Sequence, residues 1–153
     1  MPLTRLVYFS TNKIPTDGSG SVAVQLKQIL ASSIKNNVRF AVTGGLVFNR
    51  SYFLQVLEGD RSNVTKVFLT LSADPRHDQI ELMEVKDARE RLFGAWSMGF
   101  ASSPELIKEL WAKMDIQGEF NPKLLTGDQI VKLIFELVKK EEGFASSRKF
   151  SVA

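Results

Sequence analysis

The sequence predicts an α+β fold: an about five-stranded mixed sheet, mostly antiparallel, with two helices on one face and further helices at the C-terminus. Three observations predict it. Apolar residues recur at spacings of three and four in two separate stretches near the N-terminal half. β-rich runs of strand length lie before, between and after them. These runs are apolar at odd and even positions alike, so the sheet needs cover on both faces.

Residues 3–10, LTRLVYFS, form the first strand, with Leu6 and Tyr8 on one face and Val7 and Phe9 on the other. The run TNKIPTDGSGS collects Pro, Gly, Ser and Asp and reads as a loop. A helix follows from Ser21, its stripe made by Val22, Leu26, Leu30, Ser33, Ile34 and Asn37. The last turns of that stripe are polar. Residues 39–48 give a second strand, and FNRSY a hairpin connection into a third strand, YFLQVLEGD. A second helix is capped by Ser62 or Asn63, uses Val64, Val67, Phe68 and Leu71, and stops before Pro75. QIELMEV reads as a fourth strand with Ile80, Leu82 and, less regularly, Val85 inward. RLFGAWSMGF reads as a fifth, with Trp96, Met98 and Phe100 on one side and Ala95, Ser97 and Gly99 on the other.

The order strand, helix, strand, strand, helix, strand is the ferredoxin-like split βαβ pattern. SSPELIKELWAKM and TGDQIVKLIFELVKKEE are two C-terminal helices suited to the sheet's second face, and SSRKFSVA reads as a frayed end. The expected division is a domain over 1–102 and a helical extension over 103–153, too short for a separate effector domain.

Composition narrows the function. At 44% hydrophobic and 24% charged residues, the chain can build a core. Its net charge of +3 is spread thinly, with 12 Lys+Arg against 9 Asp+Glu in residues 1–102 and 8 against 8 in residues 103–153. No concentrated basic field points to nucleic acid. There is no cysteine, hence no disulfide or thiolate chemistry, and the single histidine, His77, rules out a multi-histidine metal site. No apolar run approaches the roughly 20 residues of a membrane span, and no signal peptide is read at the start, so a cytoplasmic location is expected.

Three polar groups stand where apolar residues are expected. Ser33, Asn36 and Asn37 end the first helix, either as ordinary C-terminal residues or as hydrogen-bonding groups aimed at a ligand. Thr70, Asp74, Arg76 and His77 surround the end of the second, either as a solvated turn closed by Asp74 or as part of the same site. Tyr8 and Gln55 lie on adjacent central strands of the split βαβ order, where a phenol and an amide can meet beneath the helices. Gln55 is the harder to explain as bland, because an unpaired buried donor or acceptor costs roughly 1–3 kcal/mol. Glu58, Arg39, Arg89 and Arg91 are candidate contacts for an anion, although such residues at strand ends are usually solvated. Trp96 and Met98 read as core, and the Gly44-Gly45 pair sits in a strand and makes no phosphate loop.

Taken in order and spacing, LTRLVYFS, SSIKNNVRFAVTGGLVF, YFLQVLEGD, LSADPRH and FGAWSMGF resemble the BLUF domain, a flavin-binding blue-light sensor of bacteria. The resemblance covers about residues 2–100. It implies FAD held noncovalently between the two helices. It also implies that Tyr8 gives an electron and a proton to the excited flavin, and that Gln55 links this phenol to the flavin ring edge. Asn37 matches the position that binds the pyrimidine edge, with Asn36 and Ser33 nearby. Asp74, Arg76 and His77 match the block near the flavin or its ribityl and phosphate chain, and Trp96 and Met98 the switch residues of the fifth strand. Thr70 departs from a position that is often basic in the family.

The function implied is a non-enzymatic, stand-alone photoreceptor that signals through altered binding to a protein partner or altered self-association. A homo-oligomer is expected, with no nucleic-acid or membrane partner and no metal. The rival readings are a small flavin oxidoreductase on the same fold and a regulatory dimer that binds a non-flavin ligand.

Overall fold

A computed structural model of the chain describes residues 2–16, 18 and 20–152, with side chains described as far as Glu142. Its elements are β1 (Leu3–Asn12), α1 (Val22–Arg39), β2 (Thr43–Asn49), β3 (Tyr52–Asp60) and α2 (Arg61–Ser72). They continue with β4 (His77–Ala88), β5 (Gly99–Ala101), α3 (Pro104–Lys113), a 3-10 turn at Pro122–Leu124 and α4 (Gly127–Val152). The expected loop after β1 includes Asp17 and Ser19, which lie outside the described residues. The backbone of α4 is helical to Val152 where the sequence reads a frayed end, and the side chains there lie outside the described residues.

The strands form one sheet in the order β4-β1-β3-β2-β5. β1 pairs antiparallel with β3 and β4, β2 pairs antiparallel with β3, and β2 runs parallel to β5, so the sheet is mixed as expected. Strand alternation then sorts side chains between two cores. Leu6, Tyr8, Leu46, Phe53, Leu57 and Met98 cluster with residues of α1 and α2. Val7, Phe9, Val47, Leu54 and Val56 cluster with Ile130, Ile134, Leu137 and Val138 of α4 and with α3. The C-terminal helices therefore cover the second face that the two-sided strands required.

Contact between α4 and the sheet is close because Gly45 and Gly99 carry no side chain there. A Cβ on Gly99 would collide with Val138, and one on Gly45 would meet the Phe93 ring and Ile134. Glu142 accepts a hydrogen bond from the Phe100 amide at 3.1 Å, and Glu141 accepts from Ser103 N at 2.6 Å and Ser102 N at 3.0 Å. The end of β5 and the start of α3 are thus tied to α4. Ser103 also caps α3, accepting from Leu106 N at 3.2 Å beside a proline in the first turn.

Several elements differ from the sequence reading. α2 starts at Arg61, directly after the last strand residue Asp60, so neither Ser62 nor Asn63 is the cap, and it ends at Ser72. β2 starts at Thr43 because α1 continues to Arg39 and the chain turns through Ala41, whose φ is 52°. Ile34, placed in the stripe of α1, is turned outward at 38% exposure. Leu82 and Val85 are each 55% exposed. They sit on the edge strand β4, whose register against β1 shifts between Val7 and Tyr8.

The fifth strand differs most. It pairs over Gly99–Ala101 only, and residues 91–98 are turns and bends. The amides of Leu92 and Phe93 are taken by the Glu58 carboxylate at 3.0 and 2.6 Å, leaving none for a ladder there. Since the segment is not a strand, Trp96 and Met98 do not share a face. Met98 is buried in the core beneath α1 and α2, and Trp96 packs on the α4 side against Phe93 and Phe135, at 6.1 and 5.8 Å between ring centroids.

Candidate functional site

The side chains gather at the row where Tyr8 faces Gln55 across β1 and β3, with Leu46 of β2 on the other side of Gln55. Tyr8 and Gln55 are each 2% exposed. The Tyr8 hydroxyl donates to Gln55 Oε1. Burial first, and the Asp74 carboxylate second, push the Tyr8 phenol far above the ordinary tyrosine range, so it holds its proton. The other end of the Gln55 amide is poorly served. Its Nε2 reaches only Met98 Sδ, at 3.7 Å, and a thioether is a weak acceptor.

Above this row, between α1 and α2, lies a cavity of about 270 Å³. Ile29 of α1, Leu71 of α2, and Leu46 and Phe53 of the sheet give it apolar walls, with Tyr8 and Gln55 at its base. Ser33 and Asn36 line the α1 side, together with Ser32, which sequence reasoning did not single out. Thr70, Asp74, Arg76 and His77 line the α2 side. Two polar clusters far apart in sequence therefore share one cleft with the Tyr8–Gln55 pair.

Asn37 lies just outside the lining and is fully buried. Its Nδ2 donates to Ser97 O at 2.6 Å, tying the end of α1 to the segment before β5, while its Oδ1 has no hydrogen-bond partner. Trp96 is not among the lining residues either; it stands on the opposite face of the sheet.

At the α2 side, Asp74 closes the turn as a side-chain cap, accepting from Arg76 N at 2.9 Å, and pairs with the Arg76 guanidinium at 2.7 Å. Burial pushes the Asp74 carboxyl up. The hydrogen bonds from the Arg76 side chain and backbone, with the charges of Arg76 and His77, outweigh it and hold the group below its usual value. The Thr70 hydroxyl is spent on Lys66 O at 3.0 Å within its own helix. His77 bonds Leu71 O through Nε2 at 2.8 Å and shares a hydrogen bond of 2.6 Å between Nδ1 and Ser10 Oγ. It therefore locks β4 to both α2 and β1. Ser10 is fully buried, and only its even position on β1, in line with Tyr8, could have marked it.

The charged candidates Glu58, Arg39, Arg89 and Arg91 do not line the cleft. Glu58 is instead fully buried and pairs with Arg5 at 2.7 Å, besides holding the Leu92 and Phe93 amides. Arg91 donates to Thr43 Oγ1 at 2.9 Å and to Ala41 O at 2.8 Å. Together they pin the segment that leads to Met98.

A flavin ring fits this donor and acceptor set. The underused Gln55 Nε2 is a donor for a carbonyl of its pyrimidine edge, and the apolar walls suit the ring faces. The cavity has the volume of a ring system and not of a whole dinucleotide. Among the described residues, no group of three or more His, Asp or Glu is placed to hold a metal ion, and no helix is long and apolar enough to cross a membrane.

Comparison with known proteins agrees with the geometry. The family model described as BLUF, sensors of blue-light using FAD, matches residues 3–99. The photoactivated adenylate cyclase subunit beta of Euglena gracilis is 28% identical over 96 residues, which are 63% of this chain and 11% of that protein. The blue light- and temperature-regulated antirepressor BluF of Escherichia coli (strain K12) is 32% identical over 74 residues, 48% of this chain and 18% of that protein. The chain thus spans only a small part of the length of these curated relatives. Among solved structures, the photo-activated state of BlsA superposes with a TM-score of 0.77 at 26% identity, covering 89% of this chain and 94% of that one. The dark-state structure of BlrB, a BLUF protein, gives 0.69 at 28% identity, covering 88% and 96%.

Proposed function

Because the chain belongs to the BLUF family of blue-light sensors, whose domains are signalling modules rather than catalytic ones, we propose that it binds FAD noncovalently between α1 and α2 and switches a Tyr8–Gln55 hydrogen-bond network on illumination. The single observation that carries this reading is the buried Tyr8–Gln55 hydrogen bond at the base of the cleft, with the amide's other end short of a good acceptor.

Bound FAD would supply the blue absorption and accept the electron that starts the response. What the chain supplies is position. Asn37 and Gln55 would take the pyrimidine edge, Asn36 and Ser33 the adjoining side of α1, and Asp74, Arg76 and His77 the side towards the ribityl and phosphate chain. Tyr8, kept protonated by burial, can release a proton along its hydrogen bond only when its electron is drawn away. Gln55 carries an acceptor at one end and donors at the other, so a reversed amide offers the opposite polarity to Tyr8 and to Met98 Sδ. Such a reversal sets two states of one network without turning over a substrate.

From Met98 the change would pass along Gly99–Ala101 to the Glu141 and Glu142 bonds on α4. Trp96, packed on Phe135, would report on the same segment from the α4 side. The helical extension over 103–153 is then the output element, acting in the cytoplasm on a protein partner or through a second copy of the chain.

The test is the visible spectrum of the purified protein, recorded in darkness, after blue light and during return to darkness. A flavin spectrum that shifts slightly to the red and recovers is expected. A flavin that bleaches without such a shift would point to an oxidoreductase. A protein that stays colourless after incubation with FAD would leave a regulatory domain for another ligand.

A further inference from the structure

A second cavity, of about 880 Å³, lies between α3 and the turn that joins β2 to β3. It shares no lining residue with the cleft between α1 and α2, and its volume is that of small-molecule sites, about 300–1,000 Å³. Phe48, Ile107 and Trp111 line it, at 6%, 4% and 5% exposure, and Phe120 adds a fourth apolar wall.

These walls are held in place by the protein itself. The Trp111 indole donates to Gly118 O at 3.0 Å and meets the Phe120 ring edge to face at 5.2 Å between centroids. Phe120 in turn packs on Tyr52 at 6.4 Å. The space between them is therefore preformed, which lowers the cost of ordering a ligand there.

The charges lining the cavity are unequal. Arg50 and Lys108 both contribute to its lining, and neither has a carboxylate within ion-pair distance among the described residues. Glu119 is the one carboxylate in the lining. Asn49 spends its Oδ1 on the Ser51 and Tyr52 amides, at 3.1 and 2.9 Å, which leaves its Nδ2 as a neutral donor. Two cations and an amide donor against one carboxylate favour an anionic head over a cationic one.

We propose that this cavity binds a small amphipathic organic anion, its apolar body against Phe48, Ile107, Trp111 and Phe120 and its acidic head met by Arg50 and Lys108. Isothermal titration of the full chain in darkness, with dodecanoate and with 1-anilinonaphthalene-8-sulfonate as probes, tests it. Saturable one-to-one binding of at least one probe is expected, and the preferred probe tells a chain-like body from a ring-like one. Arg50→Gln combined with Lys108→Gln should weaken it about threefold to tenfold. Ile116→Trp, at a lining position where the larger ring narrows the cavity, should weaken it too. Circular dichroism confirms that each variant is folded. Heats that fail to saturate, affinities unchanged in both variants, or release of flavin by the probe would each overturn the assignment.

Discussion

The two faces of the central strands are built from alternate residues of the same segments and both bury apolar side chains, yet only one also buries polar groups at its centre. Beneath α1 and α2, β1 and β3 present Tyr8, Ser10 and Gln55, with His77 and Asn37 closing in from the sides. Towards α4 they present Val7, Phe9, Leu54 and Val56, which meet Ile130, Ile134, Leu137 and Val138 with no polar group among them. One face carries most of the burial. The other holds the buried Tyr8–Gln55 hydrogen bond beside the ties that His77 and Asn37 make between elements. The proposed switch needs the Tyr8–Gln55 bond to be separate from those ties and from the apolar face, since a bond that also held the fold together would lose stability whenever it rearranged.

The sharpest test of this division is its exception. Glu58 ends the apolar row of β3, buried and paired with Arg5. Glu58→Gln leaves the Arg5 charge without its partner and should cost about 3–5 kcal/mol, read from the urea midpoint. An unchanged midpoint would mean that the pair contributes no more than an exposed one. Within the apolar face proper, Ile134→Ala should cost about 2–5 kcal/mol while flavin bound per folded molecule stays the same. Loss of flavin at full stability would show that the two faces are not separable.

On the polar face the expected pattern is reversed. Tyr8→Phe should change stability by only about 1 kcal/mol near neutral pH while abolishing the light-induced spectral shift. The same variant has a pH signature. The fold holds the phenol protonated beyond the ordinary tyrosine value of about 10, so its contribution is complete below that pH and is lost as pH rises further, when only the unfolded chain releases the proton. Stability should therefore fall more steeply above pH 10 in the parent than in Tyr8→Phe. The smallest effect concerns Asp74, whose carboxyl is held below its usual value of 3.8. Its contribution is present above that pH and lost as pH falls below it, so the difference between the parent and Asp74→Asn should be constant from pH 5 to 7 and shrink under about pH 4.

Much of the site could be read from the sequence because local periodicity carries it. Alternation in β1 placed Tyr8 opposite Val7, and the polar end of the α1 stripe marked Ser33, Asn36 and Asn37. Gln55 stood out because an amide in a two-sided apolar strand requires a partner. What could not be read depends on pairings distant in sequence. Glu58 looks like a solvated strand end until Arg5 and the amides at 92 and 93 are brought to it. Those same amides shorten the fifth strand, and that is why the alternation of Trp96 and Met98 gave them one face when they take two. Ser10 and His77 lie 67 residues apart and are invisible as a pair in the sequence. Gln25, 4% exposed, was hidden for a different reason, since its amide is spent on Pro15 O and Gly20 O of the irregular loop just before it, whose path no periodicity reveals.

The close seating of α4 on Gly45 and Gly99 bears on how this sensor can be cut and spliced. The stretch that matches the family stops at residue 99, at the first residue of β5 and ahead of every helix that shields the sheet's apolar face. A graft ending there would carry the cleft between α1 and α2 and leave Val7, Phe9, Leu54 and Val56 bare to water, a surface that invites aggregation. The smallest transplantable cassette runs at least to Glu142, the last described side chain that ties α4 to β5. Any chimera built from this chain must therefore take α4 along as part of the domain.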